Sequence, residues 1–203
     1  MLNYHLKFLR KIHPNPSFSI NWLCRPQHDK MEALKSIDDT LSNFFLELGR
    51  QKALLENTLI IVASDHGFWS HEYSRTHEGL LERRLPLLLM RVPENLSKRY
   101  PQLSGYIQSN SHRITSHHDT YQTLIHIAQL VSGQTKRRKK VLESSEQDYQ
   151  YSLLEPIPVG RTCEDAHIPA AMCACNLPLP DDTESHVPSQ VQIPHEMFHP
   201  TFD

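Results

Sequence analysis

No uncharged apolar run in this sequence approaches the ~20 residues that a bilayer-spanning helix needs, so its residues supply no membrane span. Neither sign of charge dominates. A formal net charge of −2 at pH 7 gives no electrostatic reason to expect nucleic acid or an acidic membrane as the main partner. The opening residues MLNYHLKFLRKIHPNP are too polar for a signal peptide. No internal repeat occurs at solenoid spacing. Cysteine is scarce and uneven: of four, Cys24 stands alone while Cys163, Cys173 and Cys175 crowd one short segment. Such a cluster points to an oxidising compartment, which conflicts with the lack of a secretion address. The expectation is that an upstream portion of the protein lies outside this sequence.

What remains is ordinary globular material, with 38% hydrophobic and 22% charged residues, enough in 203 residues for one α/β domain or a domain fragment with a tail. Residues 1–12 fit a short amphipathic helix stopped by Pro14 and Pro16. Phe18, Ile20 and Trp22 alternate along Ser17 to Leu23, predicting a buried strand that leads into a polar loop holding His28 and Asp29. From Met31 to Lys52, Leu34, Ile37, Leu41, Phe44, Phe45 and Leu48 recur at helical spacing. Thr58 to Ala63 (TLIIVA) predicts a strand covered on both faces, and Leu85 to Val92 a third buried strand. Residues 68–84 between them read as polar and irregular. Helical turns are expected after Pro93 and from Gln102, and Ser116 is placed to cap a helix over His117 to Val131. This alternation predicts a mainly parallel sheet flanked by helices.

Parallel α/β sheets gather ligands where loops converge at the carboxyl ends of their strands. Asp65-His66-Gly67 sits at such an end. A carboxylate and a neutral imidazole side by side can bind a divalent cation, with the glycine allowing a tight turn; Asp and His also serve as caps and turn formers after strands. His28 occupies the loop after the first predicted strand. His71 and His77 fall in the irregular stretch, where binding loops often lie.

The order strand, His28, long helix, strand, Asp65-His66-Gly67, then Gly79-x-x-Glu82-x-x-Leu85-Pro86 and an apolar strand resembles the later half of sulfatase-like domains of the alkaline phosphatase superfamily. ENTLIIVASDHG, GLLERRLPLLL and RTCEDAHIPAAMCAC are similar to DUF229, a family of sulfatase-like proteins. The resemblance implies a three-layer αβα sandwich of alkaline phosphatase type, incomplete here, with a mostly irregular C-terminal tail. It implies that Asp65 and His66 bind a divalent metal ion, with Ca, Mg, Mn and Zn not distinguished. It assigns His28 to the sulfate or phosphate ester substrate, and His77 as a donor where sulfatases often carry lysine. No catalytic nucleophile is identified, because the family's nucleophile and remaining acidic ligands belong to the earlier half. The chain alone is therefore expected to be inactive. A secreted binding or structural module that keeps the fold without the reaction is the alternative.

The expected organisation is a sulfatase-like part over residues 1–133, an exposed basic and polar loop over 134–150, a cysteine-containing extension over 151–176, and a disordered Pro-rich tail over 177–203. Cys163, Cys173 and Cys175, with His167 between them, have the donors for a Cys3His zinc site. The resemblance and the lack of Cys-x2-Cys spacing favour disulfides, with Cys24 a fourth partner or a buried thiol. By resemblance the protein belongs outside the cell or in the secretory lumen, where the sequon Asn95-Leu96-Ser97 would have meaning.

Overall fold

A computed structural model of the chain describes residues 1–23, 35–67, 73–133 and 150–177. His28, His71, Cys24, the basic run Lys136 to Lys140 and nearly all of the predicted Pro-rich tail lie outside the described residues. The chain divides into two compact units, Met1–Leu96 and Ser97–Pro178.

In the first unit, apolar residues three apart put Leu6 and Leu9 on one face of α1 (Leu2–Ile12), as helical spacing requires. That face packs with Leu48 from α2 (Lys35–Gly49) and Leu54 from the short α3 (Lys52–Leu55), and Phe44, Phe45, Leu55 and Ile60 close around them. Arg10 reaches Glu47 across the helix pair at 3.4 Å, and Arg50 pairs with the same carboxylate. Both ion pairs are exposed and add little to the apolar burial.

Two strands follow, β1 (Ile60–Ala63) and β2 (Leu88–Arg91), paired in antiparallel register with Ile60 opposite Arg91 and Ala63 opposite Leu88. This corrects the expected mainly parallel sheet: among the described residues the sheet is this antiparallel pair. The reason lies in the connection. The chain leaves β1 through the eight-residue α4 (His77–Arg84) and returns at the same end, where Ser64 N–H donates to Leu87 O at 2.9 Å and Leu87 N–H donates to Ser64 Oγ at 2.8 Å. With few neighbours, the β1 residues Ile60, Ile61 and Val62 are half-buried and Ala63 is exposed, not covered on both faces. Arg91 Nη1 then ties β2 to Leu55 O at 2.9 Å.

The predicted strand at Ser17 to Leu23 does not form. These residues belong to no strand, and Phe18, Ile20 and Trp22 are exposed at 72%, 68% and 66%. Period-two alternation says which side chains share a face, not that anything covers it.

The second unit is built on α6 (Gln102–Asn110) and α7 (His117–Ser132), reached through α5 (Glu94–Arg99), and on a strap, residues 150–161, without helix or strand. Buried main-chain groups must find partners, and here three helix side chains answer them. Asn110 Nδ2 donates to Leu153 O and Glu155 O at 3.0 and 2.7 Å, while its Oδ1 accepts from Ile157 N–H at 3.0 Å. Thr123 Oγ1 accepts from Leu153 N–H at 2.8 Å and donates to Asp119 O at 2.7 Å. Asp119, wholly buried, accepts Tyr151 N–H on one oxygen and Ser116 N–H on the other, both at 2.8 Å. Arg161 lays its guanidinium on the same carboxylate at 2.7 and 3.0 Å, donates to Ile114 O, and stacks under the Tyr151 ring. Leu153, Leu154 and Ile157 are buried by this arrangement. As expected, α7 begins at Ser116; it stops at Gly133, whose left-handed φ of 70° suits glycine.

Candidate functional site

β1 delivers Asp65 and His66 one and two residues past Ser64, at the end of the strand pair. His66 N–H donates to Asp65 Oδ1 at 2.9 Å, and its ring Nδ1 lies 2.7 Å from Gly67 O. A carbonyl only accepts, so that contact puts a proton on Nδ1, and in the neutral ring the lone pair is then on Nε2. Nε2 is the atom that faces Asp65, 3.8 Å from Oδ2, and both side chains are more than half exposed. Two donors bound to one ion at about 2.1 Å each can stand no more than about 4.2 Å apart, so this spacing lies within the reach of a shared cation.

Gly67 is set by packing. An added Cβ would lie 2.2 Å from Glu82 O and 2.9 Å from Glu82 Cγ, so α4 presses its backbone directly on the motif. That helix occupies residues 77–84 of the stretch expected to be irregular over 68–84. HEGLLERR lacks an apolar stripe, but its ends carry signals: Thr76 Oγ1 accepts from Gly79 N–H at 3.1 Å, Glu78 lies in the first turn, and Arg83 and Arg84 in the last. Gly79 is buried beneath the cap. Thr76 thus acts as an N-cap, and His77 is the first helical residue. At about 100° per residue, His77 and Glu82 project roughly 140° apart around α4. Glu78 and Glu82 share a face, one turn apart.

Tyr73 opens a 3-10 turn, Tyr73–Arg75, ahead of that helix. Its phenol is pushed up to about 12, first by desolvation, then by the hydrogen bond to Glu82 and the charges of Glu82 and Glu78. Sequence reading missed both Tyr73 and Glu82, although Glu82 stood within the Gly-x-x-Glu pattern. The fold keeps this phenol neutral, whereas an unfolded tyrosine ionises near pH ~10. Its contribution to stability is therefore fully present below pH ~10 and lost as pH rises through the folded value. In a tyrosinate absorbance titration, the Tyr73 component, isolated as wild type minus Y73F, is expected to lag, and Glu82→Gln to shift it towards pH ~10. An unchanged component in E82Q would remove Glu82 from this account.

In the second unit, Cys163 and Cys173 form a disulfide across a Cα separation of 5.9 Å, and Cys175 is a free, exposed thiol. Asp165 secures the turn that holds Cys163, accepting Thr162 N–H and Thr162 Oγ1 at 2.8 Å each, which lowers its carboxyl below the usual range. The ligand atoms of Cys163, Cys173 and Cys175 lie within 4.8 Å of one another. Three sulfurs so placed can hold a metal ion when reduced; in the disulfide, two of them lack the thiolate charge that binds metal.

No described helix is long and apolar enough to cross a membrane. Comparison with curated proteins and with solved structures finds no match. The chain does match the family described as "Protein of unknown function (DUF229)" over residues 1–193, a span that takes in the Asp65–Gly67 turn, α4 and all three clustered cysteines, and it belongs to that family.

Proposed function

We propose that Asp65 and His66 are two ligands of a divalent-cation site in a sulfatase-like domain of alkaline phosphatase type, whose complete form hydrolyses sulfate or phosphate esters. The supporting observation is the 3.8 Å approach of His66 Nε2 to Asp65 Oδ2, with the Gly67 carbonyl fixing the tautomer that leaves the lone pair on Nε2. An anionic oxygen beside a neutral imidazole suits Zn or Mn better than Ca or Mg, which prefer oxygen ligands. Bound there, a divalent cation supplies charge stabilisation to ester oxygens.

The chain's own residues orient and support. Gly67 O holds the imidazole ring, α4 backs the turn through Glu82, and His28 and His77 are assigned to the ester group on family resemblance alone. Two ligands fall far short of the roughly six a hard cation usually takes. The remaining ligands and the nucleophile belong to the earlier half of such domains, and the three-layer sandwich is likewise a property of the complete domain. This chain by itself is catalytically silent. The Cys163–Cys173 disulfide supports a secretory or extracellular setting, where such bonds persist.

Calorimetric titration of the purified chain with Mn(II) tests the site. Binding is expected in the wild type and at least about tenfold weakening, ~1.4 kcal/mol, in both Asp65→Ala and His66→Ala. Equal affinity in all three proteins would dismiss the ligand assignment. Separately, turnover of an aryl sulfate or aryl phosphate by the chain, abolished by EDTA and by D65A, would overturn the claim of catalytic silence.

A further inference from the structure

The third sulfur beside the disulfide has no role in the ester chemistry. Cys173 is 4% exposed, Cys163 half-buried and Cys175 exposed, yet their sulfurs lie within 4.8 Å of one another. The backbone holds them there. Ile168 N–H donates to Cys163 O at 2.8 Å, and His167, left-handed at φ 52°, turns the chain back from that contact. On the other side, Met172 N–H donates to Pro169 O at 2.7 Å, and Asn176 Nδ2 spans to Ala170 O at 3.1 Å, clamping the turn that carries both Cys173 and Cys175.

We propose that Cys175 is an exchange thiol for the Cys163–Cys173 bond, making the three sulfurs a site of redox-neutral disulfide isomerisation. The Cys175 thiol releases its proton to solvent and the thiolate attacks Cys163 Sγ. A Cys163–Cys175 bond forms, the Cys163–Cys173 bond breaks, and its electron pair leaves on Cys173 Sγ, which takes a proton from solvent. One disulfide and one thiol exist before and after, so no oxidant or reductant is consumed.

Cys163 is the sulfur attacked, because it is half-buried whereas its partner Cys173 is covered at 4% exposed. The product leaves Cys173 as a buried thiol, an environment in which free cysteine behaves as a small hydrophobe. Rotation of the exposed Cys175 side chain between staggered positions supplies the motion.

The test maps thiols in the full oxidised chain. The protein is held in mildly alkaline buffer, quenched in acid, unfolded in guanidine at acidic pH so that exchange stops and buried thiols open, labelled there with N-ethylmaleimide, digested without reduction and sequenced by tandem mass spectrometry. Label is expected on Cys175 and also on Cys173, the latter in peptides bridged Cys163–Cys175, whereas Cys175→Ser shows no label at Cys173. In a glutathione redox buffer, Cys173→Ser is expected to form the Cys163–Cys175 bridge. Label that spares Cys173 over hours, a Cys24–Cys175 bridge that consumes the thiol, or a C173S protein with Cys163 and Cys175 both alkylatable would each overturn the proposal.

Discussion

Asp119→Ala is expected to cost the second unit about 3–5 kcal/mol, the range for removing one partner of a buried ion pair. The carboxylate is wholly buried and receives four hydrogen bonds, from Ser116, Tyr151 and both terminal nitrogens of Arg161. Its loss takes from a guanidinium, itself 1% exposed, the carboxylate it lies on, and strips the anchor from the start of both α7 and the strap. Domains are commonly stable by only about 5–15 kcal/mol, so this change takes a large share of the total. Urea unfolding followed by circular dichroism measures it. Asp119→Ala combined with Arg161→Met is expected to be less destabilised than the two single changes summed, because the double variant buries no unpaired charge. A single-variant loss below about 1 kcal/mol would place the pair among interactions of surface strength.

Gly67→Ala is the second large effect, and it acts through space alone. A flexible side chain in the way would swing aside, but the atom met at 2.2 Å is the Glu82 carbonyl oxygen, with its carbon at 2.5 Å. Backbone must move, and α4 with it, at a cost of about 2–3 kcal/mol, the upper part of the usual range for overpacking. The same shift disturbs the Gly67 carbonyl that holds His66 Nδ1, so Mn(II) binding is expected to weaken together with stability. Gly105→Ala is the control: its added methyl meets nothing within 4 Å, and within α6 it is expected to stabilise by about 0.5–1 kcal/mol. Equal stability of G67A and G105A would show that α4 does not bear on the motif.

Helices with a recurring apolar face were legible in the sequence. Leu48 of α2 lies in the core as its spacing predicts, and Ser116 marks the start of α7. α4 was not, because its information resides in a threonine cap and end charges instead of a stripe. The direction of the strand pair was also hidden, since an α/β alternation does not specify whether a short helix carries the chain across the sheet or back to the end it left. At the candidate site, Asp65 and His66 are adjacent in sequence and their pairing follows from that adjacency. Tyr73 and Glu82 come from beyond the turn, where only folding makes them neighbours. The Asp119–Arg161 bond spans 42 residues and had no local signal. Among three clustered cysteines, spacing does not assign the pairing, and the structure selects Cys163 with Cys173.

The strap has a consequence for where this polypeptide can be divided. Residues 151–157 have no ladder or helical turn of their own; Asn110, Asp119 and Thr123 complete them from 30 or more positions earlier in the chain. The dependence is mutual, since those polar groups sit in a dry interior only because the strap answers them. The smallest self-sufficient piece therefore has to reach beyond the end of α7 to Arg161: severed at Gly133, the helices would be left with a hydrophilic wound where their interior had been.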